Sequence, residues 1–174
     1  MESDSTSLII VESPSKARTL ERFLGDKYKI EASVGHIRDL PKNDLGVDVD
    51  NGFKPTYVAS EDKSKVISQL KTLIKKADTL YLATDPDREG EAIAWHLVEI
   101  LQPKISVKRL AFHEITKSAI RESFNNLRDI DTSLVSAQEA RRILDRLWGY
   151  KVSAKLWQNV KGGLSAGRVQ SPAI

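Results

Sequence analysis

Apolar positions along the chain change their period several times, and each change predicts an element. Leu8 to Val11 form a continuous apolar run with β-branched residues, bounded by a turn, the pattern of a strand buried on both faces. In "SPSKARTLERFLG" the period lengthens to that of a helix. Ala17, Leu20, Phe23 and Leu24 make its stripe, Ser13 or Ser15 caps its start, Pro14 suits its first turn, and Gly25 ends it. "YKIEASV" alternates as a strand, and the period then vanishes through "GHIRDLPKNDLGVDVDNGFKP", which reads as a long loop. A helix over roughly 61–76, a strand "TLYLAT", a helix "GEAIAWHLVEIL", a strand "SVKRLAF" and a helix from Thr116 to about Leu127 follow.

Strand and helix in alternation predict an α/β fold, a mostly parallel Rossmann-like sheet with helices on both faces. Past Asp129 the pattern is helical only. Asp131 or Thr132 can cap a helix running to about Trp157, with Leu134, Ala137, Ile143, Leu144, Leu147 and Trp148 on its apolar side. The change suggests a boundary near residue 130, with one domain over 1–130 and a helical segment over 131–174.

Composition narrows the chemistry. With no cysteine, disulfide frameworks and thiolate zinc sites are excluded, so any metal must sit on oxygen or histidine. The apolar run near the N-terminus is too short for a signal peptide or a membrane span, and the chain reads as soluble and cytosolic. Net charge is only +3, yet residues 138–174 hold seven Lys+Arg against two Asp+Glu, whereas the other 137 hold 20 against 22. Positive charge therefore gathers late, which favours a nucleic-acid partner modestly.

The stretch "ATDPDREGEAIAWH" crowds Asp85, Asp87 and Glu89 into five residues. A strand-to-helix turn accounts for part of this, since Asp87 can cap the helix and Glu89 favours its positive end. The cluster nonetheless follows a buried strand, at the edge where open α/β sheets bind ligands. "LIIVE" ends in Glu12 at the same edge. Four carboxylates with no thiol describe a hard-cation site, and Mg²⁺ is its natural occupant because it retains waters and takes phosphate oxygens. Glu12 can instead remain a proton-transfer group, and Lys16, one turn into the following helix, can reach a phosphate.

Six motifs in order, "LIIVESPSKA", "SVGHIRDLP", "DPDREGEAIAWH", "FHEIT", "ARRILDRLWGY" and "GLSAGRVQS", resemble the N-terminal part of the bacterial type IA DNA topoisomerase I family. The first four match its toprim domain, and the last two the start of its next, DNA-binding domain. The resemblance implies a Mg²⁺-dependent enzyme, monomeric, that relaxes negatively supercoiled DNA by cutting one strand through a 5′-phosphotyrosine and passing the other strand. It makes Asp85, Asp87 and Glu89 the acidic triad and places Glu12 where the leaving 3′-oxygen needs a proton. Lys16 falls at the scissile phosphate, and Arg88 near backbone phosphate. DNA contacts carried over by position are His36, Arg38, Arg141, Arg142, Asp145, Arg146, Lys151 and the run Ser165, Ala166, Gly167, Arg168, Val169 and Gln170. Arg141 and Asp145 can also simply pair along the helix.

The family's nucleophilic tyrosine belongs to a motif beyond "GRVQS", and Tyr28, Tyr57, Tyr81 and Tyr150 read as packing residues, so the 174-residue polypeptide is expected not to relax DNA by itself. His96 and His113 read as packing or hydrogen-bonding residues, and Trp95, Trp148 and Trp157 as core. Three rival readings remain: another toprim enzyme such as a primase or nuclease, a non-catalytic nucleic-acid module, and topoisomerase III or the topoisomerase part of reverse gyrase.

Overall fold

The computed structural model describes residues 7–167. Its elements in chain order are β1 (Ser7–Val11), α1 (Pro14–Leu24), β2 (Tyr28–Ala32), the two-residue strands β3 (Arg38–Asp39), β4 (Val47–Asp48), β5 (Lys54–Pro55) and β6 (Val58–Ala59), then α2 (Ser64–Ile74), β7 (Thr79–Leu82), α3 (Arg88–Leu101), β8 (Ser106–Arg109), α4 (Lys117–Asn125) and α5 (Thr132–Asn159). Residues up to 39 together with 59–135 form one compact unit, and 40–58 with the chain from 136 onward form another.

In the first unit four strands make a wholly parallel sheet in the order β2-β1-β7-β8. Alternate side chains of β1 go to opposite faces, because the pleat has a period of two. Leu8 and Ile10 meet Ile67, Leu70 and Ile74 of α2 and Ile93, Ala94 and Leu97 of α3. Ile9 and Val11 meet Ala17 and Leu20 of α1 and Ile120 of α4. The sheet is thus covered on both sides, which explains why β1 is apolar at every position but its first. Side-chain caps open two helices: Ser13, a cap expected from the sequence, accepts from Lys16 N before α1, and Thr116, expected only as the first residue of its helix, accepts from Ala119 N before α4.

The second unit departs from expectation. The loop 40–58 groups with the helical segment and holds a short antiparallel pair, β4 with β5. Trp148 and Trp157, expected in a core, are 42% and 55% exposed, and Leu144 is 55% exposed. Too few apolar partners lie along this helix to cover a second apolar face. His113 is exposed too, because it lies between the buried Phe112 and the cap of α4.

Candidate active site at the carboxyl edge of the sheet

Parallel neighbours end at the same rim. Ile10 lies opposite Leu82 in the β1–β7 register, so the residues that follow each strand emerge side by side. Glu12 and Asp85 meet there: Asp85 N donates to Glu12 Oε2 at 2.9 Å, and Lys16 Nζ donates to both Glu12 Oε1 and Asp85 Oδ1, the latter at 2.5 Å. The Lys16 and Glu12 side chains are only 17% and 16% exposed, whereas Asp85 is 48% exposed, so the triad is sheltered at Glu12 and Lys16 and open to water at Asp85.

The two carboxyls are pushed in opposite directions. Burial raises Glu12 above the usual carboxylate range and the Asp85 carboxyl adds to the rise, against the pull of Lys16. Burial acts on Asp85 in the same sense, but hydrogen bonds from Lys16 and with Glu12, helped by the Arg109 charge, outweigh it and hold Asp85 low. Lys16 is itself raised: burial opposes its charge, and its two carboxylate partners overcome that. A carboxyl raised by burial beside one held low is the kind of division that acid–base chemistry uses.

The other two acids of the turn point elsewhere. Asp87 caps α3, its Oδ1 accepting from Gly90 N at 2.8 Å. Glu89 pairs with His36, Nε2 to Oε1 at 2.5 Å. Among the described residues no three His, Cys, Asp or Glu side chains converge into a ready metal cage. The four carboxylates expected around one point therefore divide into a joined pair and two flanking groups. Arg88 opens α3 as an exposed side chain.

Comparison with known proteins decides the family. Residues 7–115 match the model of the toprim domain, and residues 129–174 match that of DNA topoisomerase. The chain belongs to the toprim family. It is 52% identical to DNA topoisomerase 1 of Synechocystis sp. over 97% of its length, and 52% identical to DNA topoisomerase 1 of Synechococcus elongatus over 96%. It spans 20% of the length of each of these curated relatives. A solved structure of full-length topoisomerase I from Thermotoga maritima matches 94% of the chain with a TM-score of 0.86 at 51% identity, and the match covers 28% of that chain.

Around this toprim site a second cluster fixes the loop after β2. Val34 at φ 58° and Gly35 at φ 81° turn the chain back over the strand ends, where Gly35 N donates to Glu12 O. A valine in the left-handed region is strained, and strain of this kind gathers at functional turns. Arg38 secures the loop to α3: its Nε donates to His96 Nδ1 at 3.0 Å and its guanidinium lies 4.9 Å over the Trp95 ring. Arg38 thus braces the loop that carries His36.

The geometry makes His96 a neutral acceptor. It is 2% exposed, and burial first, then the nearby Arg38 and His36, push its pKa down to about 3. Its ordinary value is near 6.5, so the unfolded chain takes the proton first as pH falls. The stability held by neutral His96 is complete above about pH 6.5 and is lost progressively toward pH 3. Between pH 7 and pH 5 urea unfolding should show a loss of about 2 kcal/mol. The variant His96→Gln should lack that portion, and an identical pH profile in the two proteins would disprove the assignment.

Sequence reasoning missed a buried network directly beneath the acidic turn. Arg109, with no exposed surface, donates to Leu82 O, Thr84 O and Asp85 O at 2.5, 3.2 and 3.1 Å and to Glu91 Oε1 at 2.6 Å. Arg128 also reaches Glu91 at 2.6 Å, and Asp131 N donates to its other oxygen. Burial pushes the Glu91 carboxyl up, but these donors outweigh it and hold the group below its ordinary range. One signal was available: Glu91 lies three and seven residues before Ala94 and Val98, on the apolar face of α3.

Within the second unit, Arg141 Nε and Asp145 Oδ2 are 3.8 Å apart along α5, Arg142 is half-buried and Lys151 is exposed. Arg146 is drawn toward the loop before β4. Its Nη1 donates to Pro41 O and Asp44 O at 2.8 and 3.3 Å, and Tyr150 OH donates to Lys42 O. Ala166 N is held by Ser153 Oγ at 2.9 Å, with Ser165 and Gly167 on either side. Arg168, Val169 and Gln170 lie outside the described residues.

Proposed function

We propose that the chain is the toprim domain, over 1–130, and the start of a DNA-binding domain, over 131–174, of a type IA DNA topoisomerase that relaxes negatively supercoiled DNA by Mg²⁺-dependent cleavage of one strand, through a 5′-phosphotyrosine, and strand passage. The substrate is a single-stranded segment of underwound duplex, and the place of action is the bacterial nucleoid in the cytoplasm. A single observation supports this best: Glu12, Lys16 and Asp85 meet at the carboxyl rim of two adjacent parallel strands.

The residues present suit a divalent ion. All donors are oxygens, Asp85 is half exposed, Asp87 and Glu89 are exposed, and Asp87 retains lone pairs after capping α3. Asp85, Asp87 and Glu89, with Glu12 at the margin, would hold the ion, which would offset the repulsion among carboxylates and a bound phosphate. Lys16 supplies a fixed positive charge for the scissile phosphate, and Arg88 one for a neighbouring phosphate. Glu12, raised by burial, holds and returns the proton of the 3′-oxygen that leaves and later re-attacks. His36, Arg38, Arg141, Arg142, Asp145, Arg146, Lys151 and the segment from Ser165 to Gln170 are the proposed DNA contacts, with Arg38 acting through the loop it braces.

Isothermal titration of Mg²⁺ into the chain and into Asp85→Asn/Asp87→Asn tests the reading. Asparagine caps helices as well as aspartate, so the turn should survive the change. Binding should weaken at least tenfold, roughly 1.4 kcal/mol. The competitor is a non-catalytic nucleic-acid module, in which the carboxylates serve only the turn. Indistinguishable weak isotherms would select it. The 174-residue polypeptide should not relax supercoiled plasmid, because Tyr28 and Tyr81 are packed with Phe124, the Tyr57 hydroxyl is buried and Tyr150 is tied to Lys42 O.

A further inference from the structure

We propose that the outward face of α1 is a contact track for the nucleic-acid backbone, starting beside Lys16 and leading away from the acidic rim. This rests on the function proposed above and extends it. The helix buries Ala17 and Leu20 against the sheet, which turns the intervening positions to solvent. Ser15, Arg18, Thr19 and Arg22, spaced at i, i+3, i+4 and i+7, form one stripe. With Glu21 they line an open surface depression.

The charge on this stripe is unusual for a helix surface. Arg18 and Arg22 are both exposed, one turn and about 6 Å apart along the axis. Neither has an ion-pair partner among the described residues, and Glu21 on the flank pairs with neither. Like charges at i,i+4 repel and weaken a helix slightly. Near the helix end Arg22 gains from the macrodipole, but Arg18 does not. A polyanion laid along the face would neutralise both at once. A nucleic-acid strand fits better than an acidic protein surface because the stripe is continuous with Lys16, the proposed contact for the scissile phosphate, and presents a hydroxyl at Ser15 and guanidiniums beyond it.

The test is fluorescence anisotropy of the full 174-residue chain with a labelled oligothymidylate across a salt series. Each phosphate contact on a single strand contributes about 0.7 to the slope of log affinity against log salt. Arg18→Gln/Arg22→Gln should therefore lower the slope by about 1.4, a loss of affinity on the order of 25-fold at 0.1 M salt. Arg18→Lys/Arg22→Lys should retain the slope, and all three proteins should unfold cooperatively with thermal midpoints within a few degrees of one another, the small difference being that of the like-charge pair. An unaltered slope in the glutamine variant, alongside a normal magnesium response, would sink the track and leave the acidic site standing. Competition by oligoglutamate as effective as by unlabelled oligothymidylate would overturn it in favour of an acidic protein partner. A parent chain that binds no oligothymidylate at any salt would remove the track and the DNA reading together.

Discussion

Replacing Arg109 with methionine should cost about 3–5 kcal/mol of folding stability, the range for breaking one partner of a buried ion pair. The side chain has no exposed surface, and its loss strips donors from two buried carbonyls, Leu82 O and Thr84 O, and from the part-buried Asp85 O. It also leaves Glu91, likewise fully buried, ionised against Arg128 alone. A domain of this size is stable by roughly 5–15 kcal/mol, so the change removes a large fraction. Arg109→Lys should recover only part, because an ammonium restores charge but cannot span Glu91 and the carbonyls of the turn at once. Urea unfolding followed by circular dichroism measures this directly. The double variant Glu91→Gln/Arg109→Met should be less damaging than the sum of its singles, since it leaves no unpaired buried charge. Strict additivity, or a methionine variant within 1 kcal/mol of the parent, would mean that the network does not hold the turn.

This network also marks the limit of what the chain discloses to a reader of sequence. The sheet and its helices are legible because β1 and β7 are short apolar runs and α1 to α4 carry clear 3.6-residue stripes, with side-chain caps on α1, α3 and α4. The meeting of Glu12 with Asp85 is legible as well, since parallel strands always present their carboxyl ends at one rim. The inner wiring is not. Helical spacing hints that Glu91 of "REGE" turns inward but not what it meets: Glu89 is exposed toward His36, while Glu91, two residues on, is buried against Arg109. Nor does Arg146 advertise its role, because its partners are backbone carbonyls of a loop about a hundred residues earlier, and carbonyls leave no mark in sequence. The exposed Trp148 and Trp157 show the converse error, in which a helical spacing of large apolar residues is read as core although the described residues leave it uncovered.

Gly90→Ala should be the most damaging small substitution in the chain. Helix propensity predicts the opposite sign: Gly90 lies in the first turn of α3, and alanine is favoured over glycine inside a helix by about 1 kcal/mol. Packing decides otherwise. A Cβ built there would lie 2.1 Å from Asp85 O, 2.7 Å from Asp85 N and 2.8 Å from Asp85 C. These are backbone atoms, and they cannot yield independently, because Asp85 N is bonded to Glu12 and Asp85 O to Arg109. Moving α3 instead would break the Asp87 cap on Gly90 N and the bond from Thr84 Oγ1 to Gly90 O. Either displacement separates the acidic turn from Glu12 and Lys16. The overpacking should cost about 3 kcal/mol or more, well beyond the propensity gain. Magnesium and oligothymidylate binding should fall together with the thermal midpoint, since one backbone contact supports both. A more stable Gly90→Ala protein with unchanged magnesium binding would show that the turn can open without harm, and that the close approach of Asp85 to Gly90 is not what positions the site.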